Sequence, residues 1–242
     1  MNPTGHELAA LIDHTLLKPE ATASDIQKLC EEAKTYGFAT VCLHPMWITL
    51  ASRILLGCRT QPISVVGFPS GATSSEAKAF ETRQAIQCGA QEIDMVLALG
   101  ALKSGDDPYV LKDMRSVVEA ATGRPVKVIL ETGALNTPEI VRACLLAQEA
   151  GASFVKTSTG FGPGGATVEA VQLMRQTVGP SMGVKASGGI RTYSDVLRML
   201  QAGASRVGAS ASVSILLESN QSKSETGAPK KDGKTDGEGS LY

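Results

Sequence analysis

The feature that most restricts the fold of this chain is an eightfold alternation of short apolar runs with longer segments of helical period. Short apolar runs are typical of strands buried on both faces, and strands that alternate with helices pair in parallel. Eight such units in 242 residues predict the α/β class and, within it, a (β/α)8 TIM barrel. The predicted strands are 11–14, 40–43, 63–67, 92–96, 126–131, 153–157, 183–185 and 206–208. The predicted helices lie near 24–36, 45–56, 74–88, 108–121, 138–150, 168–177, 193–202 and 211–218.

Polar residues alternate with apolar residues inside several of the predicted strands. Glu92 and Asp94 share one face of the fourth strand, while Lys127, Lys156 and Lys185 lie opposite the apolar residues of their own strands. In a barrel one face of each strand packs on helices and the other points toward the axis. We therefore expect these polar side chains to converge inside the barrel. An open doubly wound sheet is the alternative fold, and it does not require this convergence.

The sequence predicts a single domain, residues 1–218, followed by a polar tail, residues 219–242. The tail consists mainly of Ser, Lys, Gly, Asp and Glu. A segment with so little apolar surface cannot offset the entropy lost on ordering, so we expect it to be disordered. Its four lysines are matched by four acidic residues, so it is not a polybasic anchor.

Charge and composition restrict the partners. The net charge is −1, from 23 basic and 24 acidic residues, and 4% of residues are aromatic, which favours neither a nucleic acid nor an anionic membrane. The apolar runs are too short to span a bilayer, and the first residues lack the pattern of a signal peptide. Scattered cysteines without a CxxC pair predict free thiols and a cytoplasmic location. These cysteines are Cys30, Cys42, Cys58, Cys88 and Cys144.

Two lysines near the ends of consecutive strands are the strongest functional signal. Lys156 and Lys185 follow apolar residues and precede Ser, Thr and Gly. Burial and a second nearby cation both favour the neutral form of an amine, and a neutral amine attacks carbonyl groups. The pair therefore predicts Schiff-base chemistry on a phosphorylated aldehyde or ketone. Spacing alone does not say which lysine forms the imine.

Carboxylates on the same strands could move the protons that imine chemistry requires. Asp94 is the candidate proton shuttle, acting directly or through water, although it could simply neutralise a lysine. Asp13, at the end of the first strand, either orients Lys185 or Asp94 or caps the following helix. Glu92 and Glu131 have the inward orientation, and we expect them to form ion pairs inside the barrel, with Lys127 as the obvious partner.

Three glycine-bearing turns between a strand and a helix could hold a phosphate. They contain Gly160, the pair Gly188 and Gly189, and the segment from Gly208 to Ser210. Free backbone N–H groups and the helix dipole favour an anion at such turns, and barrels commonly bind phosphate after strands seven and eight. Turn geometry alone is the alternative explanation.

Two other patterns predict no cofactor. The segment 160–165 matches GxGxxG, but Lys185 stands about twenty residues further on, where a dinucleotide site requires Asp or Glu. The histidines show no ligand spacing, so we predict no metal. Cys42 and His44 have the inward orientation on the second strand, and we interpret them as pocket-wall residues. A Cys42 thiol that faces the pocket would be exposed to electrophilic aldehydes.

Taken together, these motifs closely resemble the 2-deoxyribose-5-phosphate aldolases, a family of class I (Schiff-base) aldolases. The resemblance covers roughly residues 8–218, and the motifs are specific only in combination. The segments that carry it are 12–17 (IDHTLL), 41–42 (VC), 65–69 (VVGFP), 92–96 (EIDMV), 128–132 (VILET), 154–160 (FVKTSTG) and 184–192 (VKASGGIRT).

The resemblance implies reversible cleavage of 2-deoxy-D-ribose 5-phosphate to D-glyceraldehyde 3-phosphate and acetaldehyde, without a metal or organic cofactor. It implies that Lys156 forms the imine, that Lys185 lowers the pKa of Lys156, and that Asp94 relays protons. Asp13 and Tyr242 complete the predicted catalytic group. The predicted substrate and phosphate contacts are Thr15, Leu17, Cys42, Thr157, Gly160, Gly188, Gly189, Gly208 and Ser210.

Three positions near the ends of loops bear on this implication. Ala211 stands where the family often has a second serine, and Phe161 stands where some members have a phosphate-contacting lysine. The first change removes a hydroxyl and predicts a lower affinity for the phosphate, and the second predicts weaker dependence on the 5-phosphate. Tyr242 resembles a terminal tyrosine that assists proton transfer in some relatives, and a flexible segment of 24 residues spans about 27 Å. A solvated tail with an incidental tyrosine is the alternative.

Two other functions remain compatible with the sequence. One is a different phosphosugar enzyme on the same fold, such as an isomerase or another Schiff-base enzyme, which release of acetaldehyde would distinguish. The other is a non-catalytic sugar-phosphate binding protein, which would bind without forming an imine. A homodimer is compatible with a barrel of this kind, although no surface patch identifies the interface.

Overall fold

The computed structural model describes residues 2–226. Its eight parallel strands pair in chain order, and β8 pairs with β1 to close the barrel, which confirms the predicted (β/α)8 TIM barrel. The strands are β1 (Ile12–Thr15), β2 (Thr40–Leu43), β3 (Gln61–Val66), β4 (Glu92–Val96), β5 (Val126–Ile129), β6 (Phe154–Lys156), β7 (Gly183–Ser187) and β8 (Arg206–Ala209). The helices are α1 (His6–Ala9), α2 (Ala23–Tyr36), α3 (Ile48–Ile54), α4 (Ser75–Gln87), α5 (Leu99–Lys103), α6 (Asp107–Ala120), α7 (Thr137–Glu149), α8 (Val168–Val178), α9 (Tyr193–Gln201) and α10 (Ser212–Thr226).

The helices differ from the sequence prediction in two ways. The short helices α1 and α5 were not predicted, because four or five residues give almost no periodic signal. Helix α10 continues to Thr226, eight residues past the predicted end at residue 218. Extending an existing helix avoids the cost of nucleation, and Ser219 is buried with its hydroxyl donating to the Leu216 carbonyl. The rest of the predicted tail, residues 227–242, lies outside the described residues.

The apolar core lies between the strands and the helices. Val128, Val155 and Val184, on the outer faces of β5, β6 and β7, are fully buried there. Met114 of α6 and Met174 of α8 belong to the same cluster. Burying an aliphatic side chain of this size stabilises the fold by about 1.5–3 kcal/mol. The apolar positions are thus used on the outside of the sheet, and the inner face is free for polar residues.

Capping side chains fix where several helices begin. At the starts of α2, α7 and α9, the side chains of Thr22, Asn136 and Thr192 each accept a hydrogen bond from the backbone N–H three residues later. The acidic side chain of that third residue accepts one in return from the backbone N–H of the capping residue. Such reciprocal caps satisfy N–H groups that have no partner inside the helix. Because each of these helices follows a loop from a strand end, the caps also anchor the loops at that end of the barrel.

The strand register brings the predicted residues together. Asp94 of β4 lies opposite Lys127 of β5, and Lys156 of β6 lies opposite Lys185 of β7. Neighbouring strands are about 4.8 Å apart, so both pairs lie side by side on the inner face. No helix in residues 2–226 combines the length and the apolar character needed to cross a bilayer.

Candidate active site

The site is built around one buried carboxylate, Asp94. Its Oδ2 lies 2.9 Å from Nζ of Lys156 and 2.8 Å from Nζ of Lys185, and its Oδ1 lies 3.0 Å from Nζ of Lys127. All four side chains are nearly inaccessible to solvent. The two lysines of the sequence motif therefore share one oxygen atom, as their positions on adjacent strands predicted.

A second layer of ion pairs lies below this carboxylate. Oδ2 of Asp13 lies 2.5 Å from Nζ of Lys185, and Oδ1 of Asp13 accepts from Arg206 (2.8 Å) and from the Thr40 hydroxyl (2.7 Å). Asp13 is therefore a partner of Lys185, one of its predicted alternatives, and not a helix cap. The expected pairing of Glu92 with Lys127 is also present.

The charges of this cluster do not balance when every group is ionised. Four basic side chains face three carboxylates, and most of the basic groups contact two of them. Lys156 contacts one carboxylate oxygen, which it shares with Lys185. Lys156 therefore has the fewest carboxylate contacts of the four basic groups.

Burial and charge act in opposite directions on the titration of these groups. Burial alone would raise the pKa of Asp94, but the positive charges of Lys127, Lys156 and Lys185 outweigh it and hold the pKa well below its usual value. In the same way, burial opposes the charged form of Lys185, but Asp13 and Asp94 raise its pKa above the ordinary value. Asp94 is therefore a carboxylate, and Lys185 a permanent cation, at neutral pH.

A cavity of about 320 Å³ opens above the cluster at the C-terminal ends of the strands. Of the three lysines around Asp94, Lys156 lines this cavity, and Lys127 and Lys185 do not. The other lining residues come from the C-terminal ends of β1, β7 and β8 and from the loops after β1, β6, β7 and β8. They are Thr15, Leu16, Leu17, Lys18, Thr159, Gly160, Phe161, Ser187, Gly188, Gly189, Ile190, Arg191, Gly208, Ala209 and Ser210.

Glycine is required at several of these positions for geometric reasons. Gly188 and Gly189 have φ values of 87° and 79°, in the left-handed region that L side chains rarely adopt. Gly208 lies on the inner face of β8, where a Cβ would come within 3.0 Å of Cε of Lys185. Its missing side chain leaves the space through which Lys185 reaches Asp94.

One wall of the site is apolar. Leu17 packs with Cys42, Val65 and Phe68 in a small buried cluster. The ring of Phe68 makes edge-on contacts with His44 and Phe161, with centroids 5.6 Å and 5.5 Å apart. Phe161 is 53% exposed. The rest of the lining includes the glycine turns together with Lys18 and Arg191, which form its polar, cationic wall.

Most of the predicted substrate and phosphate contacts line this cavity, and the two that do not are Thr157 and Cys42. Thr157 is fully buried on the outer face of the sheet, where its hydroxyl donates to the Ser187 carbonyl and accepts from the Ser187 N–H, both at 3.0 Å. Cys42 is also fully buried, with Sγ 3.9 Å from Oδ2 of Asp94 beneath the cavity. The predicted contribution of Tyr242 lies outside the described residues.

The expectation that Glu131 pairs with a lysine inside the barrel was wrong. β5 ends at Ile129, so the alternation of inner and outer faces does not extend to residue 131. Glu131 instead adopts a left-handed conformation with φ 56°, and its carboxylate accepts hydrogen bonds from the N–H and hydroxyl of Thr159.

Arg206 belongs to the cluster through its contacts with Asp13 and Glu92 and was not among the predicted site residues. Arg206 stands two residues before Gly208 and therefore faces the same side of β8, so strand parity alone could have found it. Lys18, Thr159 and Arg191 were also missed, because they lie in loops where no periodic pattern applies. Within residues 2–226, no group of three or more His, Cys, Asp or Glu side chains has an arrangement that could hold a metal ion.

Comparison with known proteins gives consistent matches over the barrel. Residues 8–222 match the family model described as DeoC/LacD family aldolase. The chain is 57% identical over 220 residues to the deoxyribose-phosphate aldolase of Bacillus mycoides, covering 90% of this chain and 98% of that protein. It is 59% identical over 210 residues to the deoxyribose-phosphate aldolase of Streptococcus sanguinis, covering 87% and 96%. A solved structure of a tetrameric deoxyribose phosphate aldolase from Aeropyrum pernix matches with a TM-score of 0.83 at 35% identity, covering 88% of this chain and 91% of that one.

Proposed function

The chain belongs to the DeoC/LacD aldolase family and is an aldehyde-lyase of the deoxyribose-phosphate aldolase type, and from this we propose its reaction and mechanism. It cleaves 2-deoxy-D-ribose 5-phosphate reversibly to D-glyceraldehyde 3-phosphate and acetaldehyde. The cleavage proceeds through a Schiff base on Lys156. This proposal names the substrate and the products, and it assigns a role to each charged side chain of the site.

The observation that carries the proposal is the position of Lys156. Lys156 lines the cavity, while the other two lysines around Asp94 do not. It also has the fewest carboxylate contacts in a cluster with one positive charge in excess. A neutral amine that reaches a substrate cavity can attack an aldehyde carbon.

The steps follow from this arrangement. The Lys156 amine adds to C1 of the open-chain sugar, and loss of water from the carbinolamine gives the protonated imine. The C3 hydroxyl then loses its proton, the C2–C3 bond breaks, and its electron pair forms an enamine with the imine nitrogen as the electron sink. D-Glyceraldehyde 3-phosphate leaves. Protonation of the enamine at C2 and hydrolysis of the imine release acetaldehyde and restore the amine.

Asp94 and Lys185 assist the proton transfers in this scheme. Asp94 remains ionised, because the surrounding lysines hold its pKa well below the usual value, so its oxygen atoms accept hydrogen bonds and orient the bound water that passes protons to and from the reacting atoms. Lys185 stays cationic because Asp13 and Asp94 stabilise its charge. Its fixed positive charge lies next to the Lys156 amine, on the same oxygen atom of Asp94.

The polar wall of the cavity supplies the phosphate subsite. The backbone N–H groups of the Gly188–Gly189 turn precede α9, and Gly208 and Ser210 precede α10, so two helix N-termini face the same region. Lys18 and Arg191 line this wall, and neither side chain forms an ion pair with any described residue. They supply positive charge to a bound phosphate in a site where Phe161 stands in place of a lysine.

The experiment is product analysis with two independent coupled assays. The protein is incubated with 2-deoxyribose 5-phosphate, and acetaldehyde and glyceraldehyde 3-phosphate are measured separately. We expect equal amounts of both products, and a loss of at least about a thousandfold in Lys156→Arg, because arginine cannot form the imine. Lys112→Arg, a change at an exposed lysine, is the matched control and should retain full activity.

Other outcomes would contradict the proposal. An isomerase would consume the substrate without releasing acetaldehyde, and a binding protein would retain it unchanged. Equal activity in Lys156→Arg and the wild type would exclude the imine role of this residue.

A further inference from the structure

The residue that follows β5 has an unusual backbone conformation. Glu131 has φ 56° and ψ 59°, a region that residues with a side chain rarely adopt. Thr122 is the other non-glycine residue with positive φ in the described part of the chain. Such conformations persist where the surrounding structure fixes them, and they cluster at functional sites.

The side chain of Glu131 is buried without a cation. It is 3% exposed, and among residues 2–226 its recorded partner is Thr159, whose N–H lies 3.3 Å from Oε2 and whose hydroxyl donates to the same oxygen. A buried carboxylate that lacks an ion pair is costly to maintain. We therefore looked for the role of Glu131 in the group that it contacts, Thr159.

Thr159 transmits this contact to the loop that follows β6. Its hydroxyl donates to Glu131 and accepts from the N–H groups of Phe161 (3.0 Å) and Gly162 (3.2 Å). With its hydrogen given to the carboxylate, both lone pairs of the hydroxyl are directed at the loop amides. Glu131 thereby sets the orientation of Thr159, and Thr159 sets the path of the backbone that follows.

The same loop packs closely on both of its neighbours. A Cβ on Gly162 would lie 2.5 Å from Cδ of Glu131, and one on Gly133 would lie 1.7 Å from the carbonyl oxygen of Pro163. At its far end, Ala166 donates from its N–H to the carbonyl of Gly188 at 2.9 Å. The loop is therefore fixed at one end by the segment after β5 and at the other by the phosphate turn after β7.

We propose that Glu131 is a positioning residue for the phosphorylated end of the substrate. Acting through Thr159, it holds the loop of residues 160–166 (the β6 loop) so that Thr159, Gly160 and Phe161 form one edge of the cavity against the Gly188 turn. This inference rests on the proposed function, because it assumes a sugar phosphate in that cavity. Imine formation by acetaldehyde, which has no phosphate, does not depend on Glu131.

The test uses substitutions that separate backbone conformation from hydrogen bonding. Glu131→Gly removes the carboxylate, and glycine adopts positive φ without steric cost. If Glu131 mattered only for its backbone conformation, this variant should be at least as stable as the wild type. Glu131→Gln keeps an oxygen acceptor for the Thr159 hydroxyl and should therefore keep the wild-type KM for the phosphorylated sugar. Thr159→Val removes the hydroxyl at nearly constant shape, and Thr159→Ser restores it. Thr122→Gly, at the other positive-φ position, is the control.

Steady-state kinetics are measured with 2-deoxyribose 5-phosphate and with unphosphorylated 2-deoxyribose. We expect Glu131→Gly and Thr159→Val each to raise KM for the phosphorylated sugar by about tenfold or more, as loss of a binding interaction does. The ratio of kcat/KM for the phosphorylated sugar to that for the unphosphorylated sugar should fall in parallel. The KM of the double variant should be no higher than that of either single variant. Glu131→Gln, Thr159→Ser and Thr122→Gly should stay within about twofold of the wild type.

Borohydride trapping of acetaldehyde on the protein completes the experiment, and it should match the wild type in every one of these variants. The inference is overturned if Glu131→Gly loses thermal stability with unchanged KM, or if both sugars are affected equally. If the wild type itself fails to cleave 2-deoxyribose 5-phosphate, the proposed function is refuted. The inference is then judged by binding of inorganic phosphate, which Glu131→Gly should weaken and Thr122→Gly should not.

Discussion

At the scale of single residues, the site depends on how one carboxylate is shared. Asp94 lies within hydrogen-bond distance of three lysine amines. Such a cluster is stable only while its charges are nearly balanced, because an unpaired buried charge is costly. Two of the amines have a second carboxylate partner, and Lys156 does not. Chemistry at Lys156 therefore uses the amine with the fewest carboxylate contacts in the cluster.

Replacing Asp94 with Asn should affect both turnover and stability. The substitution removes the group proposed to relay protons, so kcat should fall by about 10²- to 10⁴-fold. It also leaves buried lysines without a counter-charge, which should lower the free energy of unfolding by about 3–5 kcal/mol. Coupled product assays measure the first effect, and urea unfolding measures the second.

A buried ion pair outside the barrel provides the matched control for this variant. Asp113 contacts Lys78 at 2.6 Å, and both side chains are inaccessible to solvent. Asp113→Asn should destabilise the protein through the same mechanism while leaving kcat per folded molecule unchanged. Wild-type turnover in Asp94→Asn would remove this carboxylate from the mechanism.

At the scale of helices and strands, the ends of the elements decide where functional atoms lie. The start of α9 is an example, because it follows the Gly188–Gly189 turn directly. Asp195 accepts hydrogen bonds from the N–H groups of Arg191 (3.1 Å) and Thr192 (3.0 Å) and pairs with Arg198. This cap anchors the turn that we propose to hold the phosphate.

Asp195→Asn should weaken the cap in a pH-dependent way. Hydrogen bonds from Arg191, Arg198 and Thr192 outweigh the small effect of burial and lower the pKa of Asp195 to about 2. A carboxyl group with a depressed pKa stabilises the fold above its unfolded pKa of about 3.9, and this stabilisation is lost as the pH falls through the folded value. The variant should therefore be less stable by about 1 kcal/mol at neutral pH, and the gap should narrow between pH 4 and 2.

Unfolding in urea at a series of pH values measures this gap. A difference that stays constant from pH 7 to pH 3 would mean that the charge of Asp195 does not contribute to the cap. Thr192→Ala, which removes the uncharged half of the same capping box, is the control, since its effect should depend much less on pH.

Strand parity explains which site residues could be predicted. Asp94, Lys156 and Lys185 lie inside regular strands, where alternation by two residues fixes the face of every side chain. The same rule failed for Glu131, because it was applied beyond the end of β5 at Ile129. Thr157 lies immediately after β6, and its hydroxyl is taken up by the backbone of β7. Contacts such as that of Glu131 with Thr159 join two loops, and no local pattern in the sequence encodes them.

At the scale of the whole molecule, the fold separates stability from function. The apolar core lies between the sheet and the helices, and the inner face near the strand ends carries the charged cluster. The barrel could be predicted from the sequence because the same pattern, a short apolar run followed by a segment of helical period, occurs eight times along the chain. The C-terminal boundary was less predictable, since polar residues can continue a helix that has already formed, as α10 does to Thr226.

The last residue of the sequence allows a test of the chain beyond α10. We propose that Tyr242 assists proton transfer, so deleting it should lower kcat by about ten- to a hundredfold. Trapping of acetaldehyde on the protein should be unaffected, because imine formation does not require this group. Tyr242→Phe, which removes the hydroxyl alone, should reproduce the loss, and full activity in the deletion would end the proposal.

The most direct test of the whole account is to locate the covalent intermediate. The protein is treated with acetaldehyde at low molar excess and reduced with borohydride, and the modified peptide is identified by mass spectrometry, with Lys156→Arg and an acetaldehyde-free sample as controls. We predict one stable ethyl group on Lys156 and its loss in Lys156→Arg. Modification of Lys185 or Lys127 in its place, or no adduct in a protein that still cleaves the sugar phosphate, would contradict the account.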